Sequence, residues 1–422
     1  QLRNVSRGST SELTAVIVNL MTMIFLRKKF PNIEYEVEHG YIKKLRLSDA
    51  SVIKLPDYIQ HLTELTELRM TSCSIYVIPD SIGKLEKLES LDLSNNRLNN
   101  LPESLGSLKH LKMLNLKRNK LNEIPSSLGC LTSLKRLNIG ENSLISLPES
   151  LGGLISLRYI NLSKNHLHSL PQSLINLTSL KVLNCGLNCL TLLPNSIGSL
   201  FSLETLTVEG NELSNVPQSI EKLSRLKNLR LNDNNLHSLP KELFDLKSLE
   251  YLDLSWNHLH ELPESLGNAK SLKELSIANN HLRKLPDSLG DLNSLESLDV
   301  TWNELRELPS SMGNLRSLKK LILYDNQLKM LPDGLTKLTS LELLNLWGNC
   351  LIEIPESIVR LINLKALILN GNELTFVPRS IADLQSLTKL SLNNNHLKKI
   401  PEAIKNSPTI KDLSWRWNDM SP

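Results

Sequence analysis

The chain has 422 residues, of which 40% are hydrophobic and 22% charged, and its formal net charge is +4 at pH 7. This balance is typical of a soluble protein; it excludes the strong basic excess of nucleic-acid binders and gives no sign of a membrane span. Five cysteines without clustered pairs favour a reducing compartment, so we expect a cytoplasmic protein.

An apolar segment lies near the N-terminus, at Leu13–Leu26. Its length of about 14 residues is below the roughly 20 that a spanning helix needs. Arg3 and Arg7 precede it as in a signal peptide, but no small-residue cleavage site follows. Apolar residues at 13, 16, 17, 20, 23 and 24 follow helical spacing. We therefore expect residues 1–40 to form an N-terminal cap, made of an amphipathic helix and a strand, that covers the end of a core.

The next segment, Ile33–Leu47 (IEYEVEHGYIKKLRL), alternates apolar and polar residues. His39 and Gly40 separate its two halves. This arrangement predicts a β-hairpin whose second strand opens the rest of the domain.

From residue 41 onward the sequence repeats every 23 residues, with the pattern LxxLxLxxNxLxxLPxSLGxL. We count 17 turns without insertion, so we expect residues 41–422 to form one repeat domain. The prolines of the pattern are Pro56, Pro79, Pro102, Pro125, Pro148, Pro171, Pro194, Pro217, Pro240, Pro263, Pro286, Pro309, Pro332, Pro355, Pro378 and Pro401. Its asparagines recur from Asn96 to Asn418, and Ala50 and Cys73 occupy the same column in the first two turns.

The columns of this pattern have separate physical roles. The LxL pair predicts a short strand with both leucines inward, and the Pro followed by an acidic residue predicts a brief helical or 3-10 turn. One unit cannot bury its leucines alone, so the units must stack. The buried Asn is expected to bond backbone groups of adjacent turns. Serine, found at 12 of 16 places two after the Pro, is expected to make a local hydrogen bond.

This pattern resembles the leucine-rich repeat, and its LPxSLGxL segment is similar to the intracellular Ras-group repeats. The resemblance implies an α/β fold, namely a right-handed horseshoe solenoid with a parallel inner sheet and short helical or 3-10 turns outside. It also implies a non-enzymatic scaffold that binds a protein partner on the concave face. Intracellular signalling is the implied setting, and a small GTPase is a candidate partner.

Sequence motifs for chemistry are missing from the chain. It has no P-loop, dinucleotide fingerprint, zinc-protease, GxSxG or paired CxxC pattern, so we expect no catalysis, cofactor or metal. Histidines on neighbouring turns share their column with Arg283, Arg306 and Lys329, which favours a solvated face. These histidines are His237, His258, His260 and His281.

Each turn has four variable positions, two in the strand and two between the strand and the Asn. The composition of these positions changes within residues 251–348. Five of these 20 positions hold an aromatic residue, whereas Tyr159 is the one aromatic residue at the 28 equivalent positions within residues 90–233. Four acids against one base make the region acidic. Aromatic residues flanked by carboxylates are typical of protein-binding hot spots, so we predict that the region binds a basic peptide or a basic protein surface. This aromatic patch comprises Tyr251, Asp253, Trp256, Asp299, Trp302, Tyr324, Asp325, Asn345 and Trp347.

Within the patch, Trp302 and Asp299 have no role in folding that the sequence reveals. Two alternatives to the scaffold remain open. In the first, the chain is the recognition domain of a larger enzyme, such as a kinase, GTPase or ubiquitin ligase. In the second, it belongs to a surface receptor, and a glycan on Asn176 would support that hypothesis. Because the last turn has Trp415 at an inward position and no cap, we expect the chain to be truncated or to continue.

Overall fold

The structure, a computed structural model, describes residues 10–30, 32–49, 52 and 54–419. Residues 1–9 of the expected cap and Ala50 of the repeat lie outside these described residues. The chain consists of two compact units, Gln1–Leu203 and Glu204–Pro422. No helix within the described residues has the length and apolar character needed to cross a membrane.

The first unit begins with helix α1 (Thr10–Lys29) and the strands β1 (Glu34–Glu38) and β2 (Tyr41–Ser48). Strands β1 and β2 pair antiparallel, which confirms the predicted hairpin. The two residues between them, His39 and Gly40, both have positive φ angles, of 50° and 81°. Such angles match the right-handed twist of the flanking strands, so the sequence of this turn fixes the hairpin.

Helix α1 buries a different face from the expected one. Ile17, Leu20 and Ile24, which the spacing placed on the core side, are exposed, and the side chain of Leu13 lies outside the described residues. Buried Asn19 explains the difference, because its amide bonds two other elements of the unit and fixes the rotation of the helix. The buried side consists of Val16, Asn19, Thr22, Met23 and Leu26.

From β2 onward, the strands of the first unit are parallel and each pairs with the next one. They are β3 (Glu67–Thr71), β4 (Ser90–Asp92), β5 (Met113–Asn115), β6 (Arg136–Asn138), β7 (Tyr159–Asn161) and β8 (Val182–Asn184). The 3-10 helices of this unit are Asp57–His61, Asp80–Lys84, Glu103–Ser107, Ser126–Cys130, Glu149–Gly153, Gln172–Asn176 and Ile197–Ser199.

The second unit repeats the same alternation, again with consecutive parallel pairing. Its strands are β9 (Thr205–Thr207), β10 (Asn228–Arg230), β11 (Tyr251–Asp253), β12 (Glu274–Ser276), β13 (Ser297–Asp299), β14 (Lys320–Ile322), β15 (Leu343–Asn345), β16 (Ala366–Ile368), β17 (Lys389–Ser391) and β18 (Asp412–Ser414). Its 3-10 helices are Gln218–Lys222, Lys241–Asp245, Glu264–Asn268, Asp287–Asp291, Ser310–Asn314, Asp333–Lys337, Glu356–Arg360 and Arg379–Asp383, and a short helix α2 (Glu402–Lys405) follows.

The core of each unit is a stack of identical layers, which confirms the predicted solenoid fold. Leu298 and Val300 of one turn, for example, are fully buried. The Asn column joins successive layers as expected. The Asn303 amide nitrogen donates to the carbonyl oxygens of Ile277 at 3.0 Å and Val300 at 3.2 Å, and its Oδ1 accepts from the Leu282 N–H at 3.0 Å. Because an Asn recurs every 23 residues, the same hydrogen bonds connect each turn to the next.

Most serines of the Ser column do not form the expected local hydrogen bond, and Ser173 and Ser380 instead donate to Glu149 and Glu356 of the preceding turn. Several of its hydroxyls, including those of Ser104, Ser150 and Ser311, are buried without a protein partner in the described part of the chain. Packing explains the column instead, since Ser311 lies against Gly290 of the preceding turn. A Cβ added at Gly290 would come within 2.4 Å of the Ser311 carbonyl oxygen. Small residues in both columns therefore allow adjacent 3-10 helices to approach closely.

Candidate functional site

The aromatic patch lies within the second unit, in the segment from β11 to β15. Its residues are in the strands or at the two positions just before the Asn of each turn, as Thr301 and Trp302 are before Asn303. The backbone is unusual at the second of these positions. In each of the 17 turns the residue before the Asn column has a positive φ angle. Glycine, asparagine and aspartate tolerate this left-handed conformation best, whereas large side chains are strained in it.

Trp256 and Trp302 occupy this left-handed position, with φ angles of 56° and 52°. The conformation is imposed by the ladder between turns, in which the Trp302 N–H donates to the Tyr324 carbonyl oxygen at 2.8 Å. Two bulky residues are therefore held where Asn279 stands in the turn between them. Strain of this kind is often associated with functional sites. The residue pattern of the patch alone did not predict this strain, although the frequent Asn, Asp and Gly in this column are a usable signal for it.

Four aromatic residues of the patch form a continuous row of three exposed indoles and the half-buried Tyr324 ring, which we call the aromatic ridge: Trp256, Trp302, Tyr324 and Trp347. The ring centroids of Trp256 and Trp302 are 5.9 Å apart and the rings meet edge to face. Trp302 and Tyr324 are separated by 6.0 Å, and Tyr324 and Trp347 by 5.1 Å. The three indoles remain 55%, 42% and 48% exposed in chain order. The ridge thus offers preassembled apolar surface to a partner.

Tyr251 lies outside the ridge and has other contacts. The Arg230 guanidinium stacks over its ring, with the guanidinium carbon 5.0 Å from the ring centroid. The hydroxyl donates to Asp253 Oδ2 at 3.4 Å. Partial burial, and then the charge of Asp253, raise the pKa of the Tyr251 phenol above its ordinary value. Tyr251 therefore remains a protonated phenol at the edge of the patch.

Three polar residues of the patch have a role in folding that the sequence did not reveal. Asp299 Oδ1 accepts a hydrogen bond from the Thr301 N–H at 2.9 Å. Asp253 and Asn345 accept equivalent bonds at 3.1 Å from the backbone two residues ahead. Asn115 does the same in the first unit. Asp299 therefore stabilises the turn after its strand, which corrects the expectation that it had no role in folding.

Asp325 differs from these turn-stabilising residues. It occupies the left-handed column, with a φ angle of 55°, and is exposed. Its carboxylate lies beside Gly348 of the next turn, since a Cβ at Gly348 would be 3.0 Å from Asp325 Oδ1. Trp347 similarly packs beside Gly371, where an added Cβ would be 3.2 Å from the indole Cδ1. The absence of side chains at the two glycines leaves the carboxylate and the indole accessible together.

The opposite ends of these strands carry compensated charge. Acidic and basic residues alternate there from turn to turn and form ion pairs of 2.7 to 2.8 Å. These pairs are Glu250–Lys273, Glu296–Lys319 and Glu342–Lys365. The lysine hydrogen bond lowers the pKa of each of the three glutamates below its ordinary value. Because these glutamates are paired with lysines, the uncompensated negative charge of this surface lies at the aromatic end of the strands.

Three basic residues at the equivalent positions of the first unit, Lys117, Arg118 and Arg136, make intramolecular contacts. Glu141 accepts from Arg118 Nε at 2.6 Å and lies 3.0 Å from the Lys117 ammonium. The hydrogen bond from Arg118 is the main cause that lowers the pKa of Glu141. The Arg136 guanidinium lies over the Tyr159 ring, 4.3 Å from its centroid. Intramolecular contacts therefore reduce the basic character of that region.

Four histidines of the second unit, His237, His258, His260 and His281, form a row of exposed rings. Ring centroids are 5.3 Å apart for His237 and His258, 5.9 Å for His258 and His281, and 5.3 Å for His260 and His281. Glu304 lies 3.6 Å from the His281 ring. Within the described ranges, no group of three or more His, Cys, Asp or Glu side chains is arranged to hold a metal ion.

Models of leucine-rich repeat families match much of the chain. A model described as "Leucine-rich repeat region" matches residues 83–188 and 264–350. Models described as "Leucine rich repeat" match residues 201–259 and 386–407. The comparison with curated proteins gave no match.

Three solved structures with the same architecture come from a bacterium and from plants. A leucine-rich repeat protein of Leptospira interrogans is 34% identical, with a TM-score of 0.73, and the match covers 89% of this chain and 90% of that one. The leucine-rich repeat ectodomain of the membrane receptor kinase GASSHO1/SCHENGEN3 of Arabidopsis thaliana, in complex with CASPARIAN STRIP INTEGRITY FACTOR 2, is 31% identical, with a TM-score of 0.72 and coverages of 89% and 47%. The plant peptide hormone receptor RGFR1, in complex with RGF2, is 30% identical, with a TM-score of 0.76 and coverages of 92% and 67%.

Proposed function

The chain belongs to the leucine-rich repeat proteins, and we propose that it is a non-enzymatic scaffold whose aromatic ridge binds a protein partner. The observation that carries this proposal is the pair of strained, exposed residues Trp256 and Trp302. Neither is needed to form the left-handed turn, because Asn279 forms it in the same unit. Bulky aromatic residues at such a position have a natural use as binding anchors.

The proposed partner presents a basic peptide or a basic protein surface. Asp325 supports this, because its exposed carboxylate lies beside the ridge, whereas the acids at the other strand ends are paired with lysines. A lysine or arginine side chain can contact an indole face and a carboxylate at once. Ridge and carboxylate together therefore favour a cationic partner.

We place the proposed scaffold in the cytoplasm, in intracellular signalling. The five cysteines are an odd number without clustered pairs, which suits a reducing compartment. The 23-residue LPxSLGxL unit supports membership of the intracellular Ras-group repeats, and a small GTPase is one candidate partner for that reason.

Affinity capture with a triple variant tests the proposal. Trp256→Ala, Trp302→Ala and Trp347→Ala together remove the three indoles of the ridge. Trp417→Ala is the matched control, since Trp417 is also an exposed tryptophan in the left-handed column of the second unit. We expect partners captured by the wild type to be retained by the control and lost by the triple variant. If all three proteins capture the same partners, the ridge is not the binding site.

The affinity for a captured partner then measures the two components of the site. We expect Trp302→Ala to lose about 2 kcal/mol, or roughly 30-fold in Kd. Asp325→Lys should slow association with a basic partner, and the effect should shrink at high salt because the charge is exposed. Unchanged association for Asp325→Lys would contradict the proposed partner charge while leaving the apolar anchor intact.

A surface receptor is the second candidate function. It is favoured by the similarity to two plant receptor ectodomains solved with their peptides. Asn176 is exposed at the end of a 3-10 helix and precedes Leu177 and Thr178, so it starts an Asn-x-Thr glycosylation triplet. Asn161, which starts an Asn-x-Ser triplet, is buried. A receptor produced through the secretory route should carry a glycosidase-sensitive glycan on Asn176. Stable, reduced and unglycosylated protein in the cytoplasm would favour the scaffold.

A further inference from the structure

Helix α1 presents its more apolar side to solvent. Six large apolar side chains on it are exposed, namely Ile17, Val18, Leu20, Met21, Ile24 and Phe25. At 100° per residue these six occupy about half of the helix circumference. The buried half contains the polar residues Asn19 and Thr22. A surface helix of a water-soluble protein has the opposite arrangement.

Three contacts fix this orientation of the helix. The Asn19 side-chain amide donates to the His61 carbonyl oxygen at 3.1 Å, and its Oδ1 accepts from the Ile42 N–H at 3.1 Å. Val16 packs beside Gly40, where a Cβ would lie 3.2 Å from the Val16 Cγ1. A rotation that buried the apolar half would leave the Asn19 amide unbonded, at a large energetic cost. The exposed apolar half is therefore built into the first unit.

The charged residues on the helix stretch 14–28 are all basic. Residues 14–28 include no acidic residue, and Arg27 and Lys28 are exposed at the C-terminal end of the helix. Lys28 lies four residues after Ile24, so it is on the same side of the helix as the exposed apolar residues. The acids of the adjoining hairpin are partly neutralised, because Glu36 pairs with Lys44 at 2.7 Å and Arg46 at 3.1 Å. Apolar area with cations at its end is complementary to an anionic interface.

An aromatic residue outside the helix extends the same surface. The Phe25 and Tyr58 rings are 6.3 Å apart, and partial burial raises the pKa of the Tyr58 phenol. Tyrosine and phenylalanine with an adjacent basic residue are common at the boundary between lipid headgroups and acyl chains.

We propose that the exposed half of α1 docks on a membrane surface that contains anionic lipid. The six apolar side chains enter the boundary between headgroups and acyl chains, and Arg27 and Lys28 contact the headgroup anions. The helix lies in the plane of the interface. A second copy of the chain is the alternative occupant, and a dimer that the helix variant abolishes would identify it.

Vesicle co-sedimentation of the full chain tests this proposal. The probes are phosphatidylcholine vesicles with and without about 30% phosphatidylserine, at low ionic strength and at about 0.15 M salt. One variant combines Ile17→Gln, Met21→Gln and Ile24→Gln. The matched control combines Ile145→Gln, Ile155→Gln and Leu192→Gln, which change residues of the same unit that are 50–57% exposed, against 50–62% for the first set. Circular dichroism and thermal unfolding verify that both variants fold.

We expect the wild type and the control to sediment with phosphatidylserine vesicles and the helix variant to lose about tenfold or more in apparent affinity. Arg27→Glu with Lys28→Glu should remove the preference for phosphatidylserine. The proposal is overturned if the wild type does not bind these vesicles, or if the helix variant binds them as well as the control. It is also overturned if the wild type forms a dimer that the helix variant abolishes, without vesicle binding.

Discussion

Adjacent residues Trp302 and Asn303 should respond to replacement in opposite ways, and Asn303→Ala is the severe change. The substitution leaves the Leu282 N–H without its acceptor at 3.0 Å and removes the donor to the carbonyl oxygens of Ile277 and Val300. Asn303 is buried, so water does not replace these bonds without opening the layer. Leaving buried polar groups unbonded costs about 1–3 kcal/mol. We expect a loss of about 2–3 kcal/mol in local stability.

Trp302→Asn, in contrast, should leave stability within about 1 kcal/mol of the wild type. Asparagine adopts the left-handed conformation readily, as Asn279 and Asn394 do in the same column. Relief of strain contributes about 1 kcal/mol in favour of the variant. Loss of the edge contacts with Trp256 and Tyr324 removes about 0.5 kcal/mol each, since the rings are half exposed. These contributions nearly cancel.

Amide hydrogen exchange separates the two outcomes, because a repeat array need not unfold in a single transition. In Asn303→Ala the Leu282 amide should exchange about 30- to 160-fold faster, which corresponds to the expected loss of about 2–3 kcal/mol. In Trp302→Asn this amide should keep its wild-type rate, while binding of a captured partner falls. If Trp302→Asn accelerates exchange as much as Asn303→Ala does, the tryptophan is part of the scaffold and the argument for the ridge fails.

Three further outcomes follow from the packing and the ionisable groups. Gly290→Ala should lower stability by about 1–3 kcal/mol in urea unfolding, because its methyl group would lie 2.4 Å from a carbonyl oxygen of the next turn. Burial raises the pKa of the Cys185 thiol to about 12, so a thiol reagent at pH 8 should label exposed Cys130 and not Cys185 in folded protein. The hydrogen bond from Arg46 lowers the pKa of Glu67 in the folded protein below its ordinary value of 4.5. The ion pair therefore stabilises the fold above pH 4.5, and this stabilisation is lost as the pH falls through the lowered pKa of the folded protein. Thermal unfolding of Glu67→Gln should therefore depend less on pH in this acid range than that of the wild type.

The repeat made most of the fold predictable, because its spacing determines which residues stack. Asn303 illustrates this, since its column, burial and backbone partners all follow from a spacing of 23 residues. The hairpin at His39 and Gly40 was predictable for a similar reason, as local turn chemistry decides it.

Features that depend on packing between elements were not predictable. The orientation of α1 follows from two hydrogen bonds of Asn19 to residues distant in sequence, whereas its apolar spacing alone suggested another face. The Ser column was assigned a hydrogen bond because serine commonly makes one, but its position is explained by the close approach of Gly290 to the next turn. Composition identified the aromatic patch, and the frequent Asn, Asp and Gly in the column before the Asn could have indicated its left-handed backbone. The role of Asp299 in its turn, in contrast, depends on a hydrogen bond that no residue pattern specified.

The stacked architecture also explains how a strained ridge can persist. Each turn contacts its immediate neighbours, so strain at Trp256 or Trp302 lowers the stability of nearby layers and does not propagate along the unit. The ladder of Asn257 and Asn303 passes beside both tryptophans with the same bonds that it makes elsewhere. Scaffold and binding surface therefore occupy adjacent positions in one turn but have separate physical requirements. A solenoid of this kind can change its partner by substitutions in the left-handed column while the Asn column keeps the fold.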